Sequence, residues 1–337
     1  KGSADSIAQY RQAAQLYMDM WEKYGKEPCE KGNKEACERN DEILYNAARS
    51  YQAARLVARA ISVRRTLINP KYNLHNTALA KKAIYEIGGN YQAIAVYDEA
   101  ATWYERFAAE NPKDDKAPQA LSDAVVLRLG LGQEDQAIKN ADTFARTFPN
   151  KPTEAAQIAF AVGAHYVDRE DWGNARKRLQ GAMGQIDRNA TLDVQIQAHA
   201  LLGQVHAKSG STTQARQEYE KVRGMWRDPQ AAVAKLDAIG GDDSQKIRRL
   251  GKTLTAVGEA YFFFAEEKKA VVDKINFPEY KGSGERKEVE DFINTKVVDW
   301  QKKKRAAIEE ADKEYQKILG LQPVPPPRWV IAAGSRV

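Results

Sequence analysis

The stretch KKAIYEIGGNYQAIAVYDEAATWYERFAAENP, Lys81–Pro112, decides the fold. Counted from Lys81, Ile84, Ile87, Gly88 and Tyr91 hold positions 4, 7, 8 and 11, and Ala100, Tyr104 and Phe107 hold 20, 24 and 27. Each set falls on one face of a helix with 3.6 residues per turn, so the stretch reads as two helices facing each other. Gly88 and Ala100 are small enough to let the two backbones approach, while Tyr91, Tyr104 and Phe107 fill the space toward a neighbouring pair. Pro112 ends the second helix, because proline lacks an amide hydrogen and clashes with the preceding turn.

The arrangement returns three times. Leu121, Ala124, Val125, Ala137, Ala141, Phe144 and Pro149 form one copy; Ala159, Val162, Gly163, Tyr166, Ala175, Leu179 and Ala182 form the next; His199, Leu202, Gly203, His206, Ala215, Tyr219 and Val222 form another. Ala100, Ala137, Ala175 and Ala215 stand 37, 38 and 40 residues apart, so loops of varying length join a fixed hairpin. A period in this range marks a stacked repeat architecture.

The chain resembles the tetratricopeptide repeat proteins, whose pattern is the one just quoted. The resemblance covers residues 81 to 226 and implies an all-α, right-handed superhelical solenoid of antiparallel helix pairs. Leu254, Val257, Gly258, Tyr261 and Ala270 fit a fifth copy whose second helix Pro278 cuts short. Ala311, Tyr315, Ile318 and Pro323 fit only the second half of another. Toward the N-terminus, Ala13, Tyr17 and Met20 match a second helix, and Leu44, Ala47, Ala48 and Tyr51 match a first helix of a degraded copy. Three regions follow: degenerate repeats over 1–80, the repeat array over 81–281, and a long charged helix with the start of a further repeat over 282–337. The glycine- and serine-containing Gly282–Glu285 is the expected break. From Glu285 to Leu319 one long helix, or two with a tight corner, carries the apolar stripe Val289, Phe292, Ile293, Val297 and Trp300. Trp329 to Ala333 reads as a helix of a further pair, and the chain is expected to be a piece of something longer.

Composition narrows the function classes. Hydrophobic residues make up 43% and charged residues 29%, and no run approaches the roughly 18 consecutive apolar residues of a membrane helix. The 52 basic residues are offset by 46 acidic ones along the same helices, so the net charge of +6 reads as solvated helix faces and argues against nucleic acid. The run Lys302–Arg305 is followed by Glu309, Glu310 and Asp312. No phosphate loop, nucleophile elbow or metalloprotease helix is present, so no catalytic residue, cofactor or metal is expected. His199 and His206 occupy positions 4 and 11, where the repeat places packing residues, and two turns of separation is wide for a pair of metal ligands.

Cys29 and Cys37 bracket a polar loop. With no companion histidine or cysteine they make a poor zinc site, and a disulfide is the expected pairing, the alternative being two free thiols in a cytosolic protein. In an oxidising compartment the closed loop adds about 2 to 3 kcal/mol.

In the family's register, positions 2, 5, 9 and 12 of each copy line a concave groove suited to a segment of another protein. They are Lys82, Tyr85, Gly89 and Gln92; Gln119, Ser122, Val126 and Leu129; Gln157, Phe160, Ala164 and Val167; Gln197, Ala200, Gln204 and Ala207; and Lys252, Thr255, Glu259 and Phe262. Tyr85, Gln92, Gln157, Phe160, Gln197, Gln204, Phe262 and Phe263 are the candidate contacts, in a lining that is glutamine-rich and apolar. Family members that grip acidic C-termini use a lysine and asparagine clamp, and Tyr85 and Gly89 stand in those places. The competing role for these side chains is packing against a helix of the same chain. Phe262, Phe263 and Phe264 point about 100° apart on a helix, so they cannot all enter one core face.

The helix endings Phe107–Pro112 and Phe144–Pro149 resemble those of periplasmic and outer-membrane-associated repeat proteins of Gram-negative bacteria. The longer spacing, the cysteine pair and the proline-led C-terminal helix are similar to envelope and gliding-machinery proteins of myxobacteria. That resemblance implies a non-catalytic scaffold in the periplasm, peripheral to or lipid-anchored at the outer membrane, that joins subunits of an envelope or motility machine. A cytoplasmic adaptor or regulatory repeat domain is the alternative.

Overall fold

One backbone conformation recurs wherever the first helix of a pair ends. In the computed structural model, which describes residues Ala4–Arg336, Arg55, Ala95, Gly132, Glu170 and Gly210 all take a positive φ between 57° and 74°. Each is residue 15 of its copy. The amide of the following residue then donates back to the carbonyl of residue 11: Leu56 to Tyr51, Val96 to Tyr91, Gln133 to Arg128, Asp171 to Tyr166 and Ser211 to His206, all at 2.8–2.9 Å. This is the left-handed helix stop that satisfies otherwise orphaned carbonyls. Three of the five are not glycine and hold the left-handed region at about 1–2 kcal/mol each. The second helix starts at once, and its position-20 alanines, Ala60, Ala100, Ala137, Ala175 and Ala215, are all fully buried.

The chain divides into two compact units, the first ending at Lys151 and the second beginning at Pro152. The first contains α1 (Ala4–Met20), a π-turn over Trp21–Gly25, α2 (Lys26–Glu30), α3 (Lys34–Cys37), α4 (Asn40–Ala53), α5 (Val57–Leu67), α6 (Ala78–Ala93), α7 (Tyr97–Glu110), α8 (Ala117–Gly130) and α9 (Glu134–Thr147). From α4 onward each helix packs on the next, and α1 packs on α4. The hairpin α4–α5 is a complete copy and not a degraded one: Leu44, Ala47, Ala48 and Tyr51 are buried, and Arg55 makes the corner. What disguises it is Arg64 at position 24, where other copies carry Tyr104, Leu179 or Tyr219. In α1 the buried residue is Ala14, one position past the expected Ala13, and Met20 is exposed. Cys29 and Cys37 are joined by a disulfide that ties α2 to α3. Trp21 beside it is buried edge-on against Tyr72 at 5.2 Å.

The second unit contains α10 (Pro152–Asp168), α11 (Trp172–Asn189), α12 (Leu192–Lys208), α13 (Thr212–Met225), α14 (Pro229–Ala238), α15 (Asp243–Lys274), α16 (Arg286–Phe292), α17 (Val298–Leu319) and α18 (Pro327–Gly334). Here the fifth copy departs from expectation. Ala270 does not lie on a second helix, because α15 runs unbroken for 32 residues past the corner position. Residue 15 of that copy is Ala265, buried in the helix, and the Glu266-Glu267-Lys268-Lys269 that follows is made of strong helix formers. The partner of α15 is instead α17, whose Ala311, Tyr315 and Ile318 share a core with Leu254, Val257 and Ala260. One hairpin thus takes its two halves from the fifth copy and from the half-copy after it, with a helical extension between them.

At the far end of that extension, α16, a π-turn over Ile293–Val297 and α17 form one continuous helix, the single-helix alternative expected from the sequence. Its stripe faces the connecting segment, with Phe292 5.1 Å from Tyr280 and Trp300 5.0 Å from Phe277. The Lys304 ammonium donates to the carbonyls of Val272 (2.7 Å) and Ile275 (3.2 Å), a cation closing the C-terminus of α15. The helix expected from Trp329 onward forms as α18 and packs on α15 and α17.

Candidate partner-binding surface

Close packing within each pair comes from position 8 meeting position 24. A Cβ built on Gly88 would lie 2.7 Å from the Tyr104 ring, on Gly163 2.5 Å from the Leu179 side chain, and on Gly203 2.9 Å from the Tyr219 ring. Gly258 differs: it faces Trp329 and Pro326 of the C-terminal segment, at 2.5 and 2.6 Å, in place of a second helix of its own copy. With the small residues consumed by packing, the surface is left to the positions between them.

In the first unit, Tyr85 on α6 is half-buried, its ring 5.5 Å from Tyr104 and 5.2 Å from Phe107, with the Lys116 ammonium 4.8 Å from its centroid. Gln92 is exposed and its Oε1 accepts from the Tyr104 hydroxyl at 2.7 Å. Burial pushes the Tyr104 hydroxyl up to about 12, and burial likewise raises the Asp123 carboxyl, which accepts from Gln119 at 2.7 Å. In the second unit, Gln157 is exposed, Phe160 rests half-buried on Ala156, Ile186, Val194 and Ala198, and Gln197 and Gln204 are half-buried. The Gln197 amide donates to the Asp193 carbonyl at 3.0 Å, and its own side-chain oxygen has no hydrogen bond among the described residues.

The register is not followed throughout. Leu129, Val167 and Ala200 are buried. Phe262 stacks on Trp329 at 5.0 Å and approaches Tyr315 at 6.0 Å, Phe263 lies 4.8 Å from Tyr219, and Phe264 is buried in the core. The three phenylalanines do point three ways, as helix geometry requires, but every direction ends on the same chain. The Trp329 indole also donates to the Thr255 carbonyl at 2.7 Å, so α18 covers part of the α15 face assigned to a partner.

A basin of about 570 Å³ in the second unit joins register positions to residues outside the register. Phe160 and Gln197 line it together with Asp193, Ile239, Arg248 and Lys252. Lys252 is position 2 of the fifth copy, and Arg248 joins it on α15 because that helix begins at Asp243, about two turns ahead of the copy's first position, under an N-cap in which Asp242 and Gln245 bond each other's backbone amides. Arg249 holds the adjoining loop through the carbonyls of Leu236 (2.9 Å) and Gly240 (3.0 Å).

The two repeat histidines are packing residues with electrostatic consequences. His199 is buried with both ring nitrogens on carboxylates, of Asp187 at 2.9 Å and of Glu218. Among the described residues no group of three or more His, Cys, Asp or Glu is placed to hold a metal ion. His206 is held below its ordinary value of 6.5, chiefly by burial, with Arg176 acting the same way and Glu218 opposing. Among the described residues only Gln180 bonds its ring, at 3.4 Å. A folded-state pKa below the unfolded one means that the unfolded chain takes up the proton first, so His206 withdraws stability as pH falls below about 6.5. The half-buried Glu259, raised chiefly by burial and bonded by Tyr219 at 2.9 Å, has the opposite slope: its cost appears as pH rises above its unfolded value near 4.5. Urea midpoints between pH 7 and 5.5 are expected to fall less in His206→Gln than in the unaltered chain; parallel slopes would remove the buried neutral imidazole.

The repeat unit is tetratricopeptide-like. No protein-family model matches the chain, and no curated protein matches it. Among solved structures it is similar to BtubC from P. vanneervenii, with a TM-score of 0.38 and 15% identity over 68% of this chain and 93% of that one. YrrB, a tetratricopeptide protein with an unusual peptide-binding site, gives 0.36 and 15% over 61% and 96%. A tetratricopeptide repeat protein from Parabacteroides merdae gives 0.32 and 13% over 73% and 98%.

Proposed function

We propose that the chain is a non-catalytic protein–protein interaction scaffold, which captures segments of partner proteins on the first-helix face of its repeats. The observation that carries this reading is the row Gln157, Phe160, Gln197 and Gln204 on α10 and α12: amide and aromatic side chains left at the surface of helices whose other faces are buried. Glutamine supplies both a donor and an acceptor, which suits the alternating backbone groups of an extended peptide, and a half-buried ring supplies an apolar anchor. Among the described residues no helix is long and apolar enough to cross a membrane.

The disulfide between Cys29 and Cys37 supports an oxidising compartment and therefore the periplasm. There the scaffold would join envelope or motility-complex subunits, peripherally or through a lipid anchor at the outer membrane.

A photo-crosslinking residue placed at Gln157 or Gln204 in cells is expected to yield partner adducts, and one at Lys177 on the exposed face of α11 is not. Equal yields at all three positions would remove the groove reading. Thiol blocking of the same cells before lysis reads the compartment: two free thiols would place the chain in the cytosol.

A further inference from the structure

We infer that the basin at the junction of α12, α14 and α15 takes an acidic, extended segment of a partner protein, with an aliphatic or aromatic residue seated beside Phe160. This rests on the scaffold reading above and names the chemistry of its ligand. The floor is apolar, made by half-buried Phe160 and by Ile239, which is 37% exposed at the loop. Above it stand Arg248 and Lys252, one helical turn apart on α15 and both exposed. Neither has an ion pair or hydrogen bond among the described residues, whereas neighbouring Arg249 is committed to two loop carbonyls and faces Asp193 at 3.9 Å. Two free cations beside an apolar floor attract carboxylates, and their spacing along the helix suits acidic side chains on one edge of an extended strand.

A second feature points the same way. Asp193 lines the basin, and its buried Oδ1 has no hydrogen-bond donor among the described residues, which costs stability unless a ligand supplies one. A backbone amide of an extended segment is such a donor, and Gln197, whose own amide is committed to the Asp193 carbonyl, keeps its side-chain oxygen as a second acceptor. The site therefore offers acceptors for main-chain amides, cations for acidic side chains and a ring for the residue between them. Of the two cations, Lys252 is position 2 of the fifth copy and Arg248 comes from the upstream start of α15, outside the repeat.

Fluorescence anisotropy on the full chain tests this with labelled, N-acetylated and C-amidated ten-residue peptides that alternate leucine with glutamate, glutamine or lysine. The glutamate peptide is expected to bind most tightly, to weaken as salt rises from about 50 to about 200 mM, and to lose about tenfold in affinity with Arg248→Glu/Lys252→Glu. Both positions are exposed, and circular dichroism of the variant verifies that the helices persist. Equal affinity for the glutamate and lysine peptides, or an unchanged affinity in the variant, would overturn the inference. A glutamine peptide left with a free C-terminus serves as a control, and binding by it alone would also overturn the inference by assigning the cations to a terminal carboxylate. Adducts at Gln157 alongside a null peptide result would leave the scaffold reading standing and remove only its acidic ligand.

Discussion

Arg64→Ala is expected to lower the stability of the first unit by about 3–5 kcal/mol, because it deletes a buried cation on which three other side chains depend. Arg64 is 1% exposed. Its guanidinium donates to Glu86 Oε2 at 2.7 and 3.0 Å, to Asn90 Oδ1 at 2.8 Å and to Gln52 Oε1 at 2.8 Å, so it joins α5 to both α4 and α6. Without it the Glu86 carboxylate keeps, among the described residues, only the Tyr45 hydroxyl, at 2.7 Å. Arg64→Lys retains the charge but not the planar fork, and is expected to recover less than half of the loss. Urea denaturation gives the magnitude, and hydrogen exchange at the amides of α5 and α6 gives the location. A loss below about 1 kcal/mol would mean that water replaces the guanidinium at little cost.

That one arginine also explains why part of the fold was hidden. Repeat positions filled by small or aromatic residues are legible because helix periodicity places them by local geometry alone, and most of those read in the four copies from Ile84 to Val222 are buried, with Tyr91, Ala141, Ala159 and Ala182 half-buried. Arg64 sits at a position where packing demands bulk, and its charge conceals the bulk until its partners on two other helices are known. The corners were hidden for another reason. Arg55, Ala95 and Glu170 carry no glycine signal, and their left-handed geometry is imposed by the packing of the helices on either side.

The surface was legible in proportion to how closely the chain follows the repeat. Gln157, Phe160, Gln197 and Gln204 lie where the register puts them, whereas Phe262 and Phe263 are claimed by Trp329, Tyr315 and Tyr219. Trp329 is about 70 residues further along the chain, a contact that no local pattern encodes. Arg248 and Ile239 escaped for the converse reason: they belong to a non-repeat junction, which a register counted from position 1 of each copy does not reach.

Gly88→Val is expected to cost about 2–3 kcal/mol, and adding Tyr104→Ala in the same chain is expected to cost less than the two changes taken separately. The Tyr104 ring cannot move aside: it is 3% exposed, its hydroxyl is tied to Gln92, and Tyr85 packs on its other side. A valine methyl would add to a Cβ already 2.7 Å from that ring. The copy on α8 and α9 shows the reciprocal solution, with Val125 at position 8 opposite Ala141 at position 24. Bulk on the first helix is therefore tolerated where the second helix gives it up. Tyr104→Ala alone leaves a cavity costing about 3 kcal/mol, part of which the valine refills, so a coupling of about 1–2 kcal/mol is expected from the four urea curves. Costs that add to within about 0.5 kcal/mol would mean that positions 8 and 24 do not share one packing space.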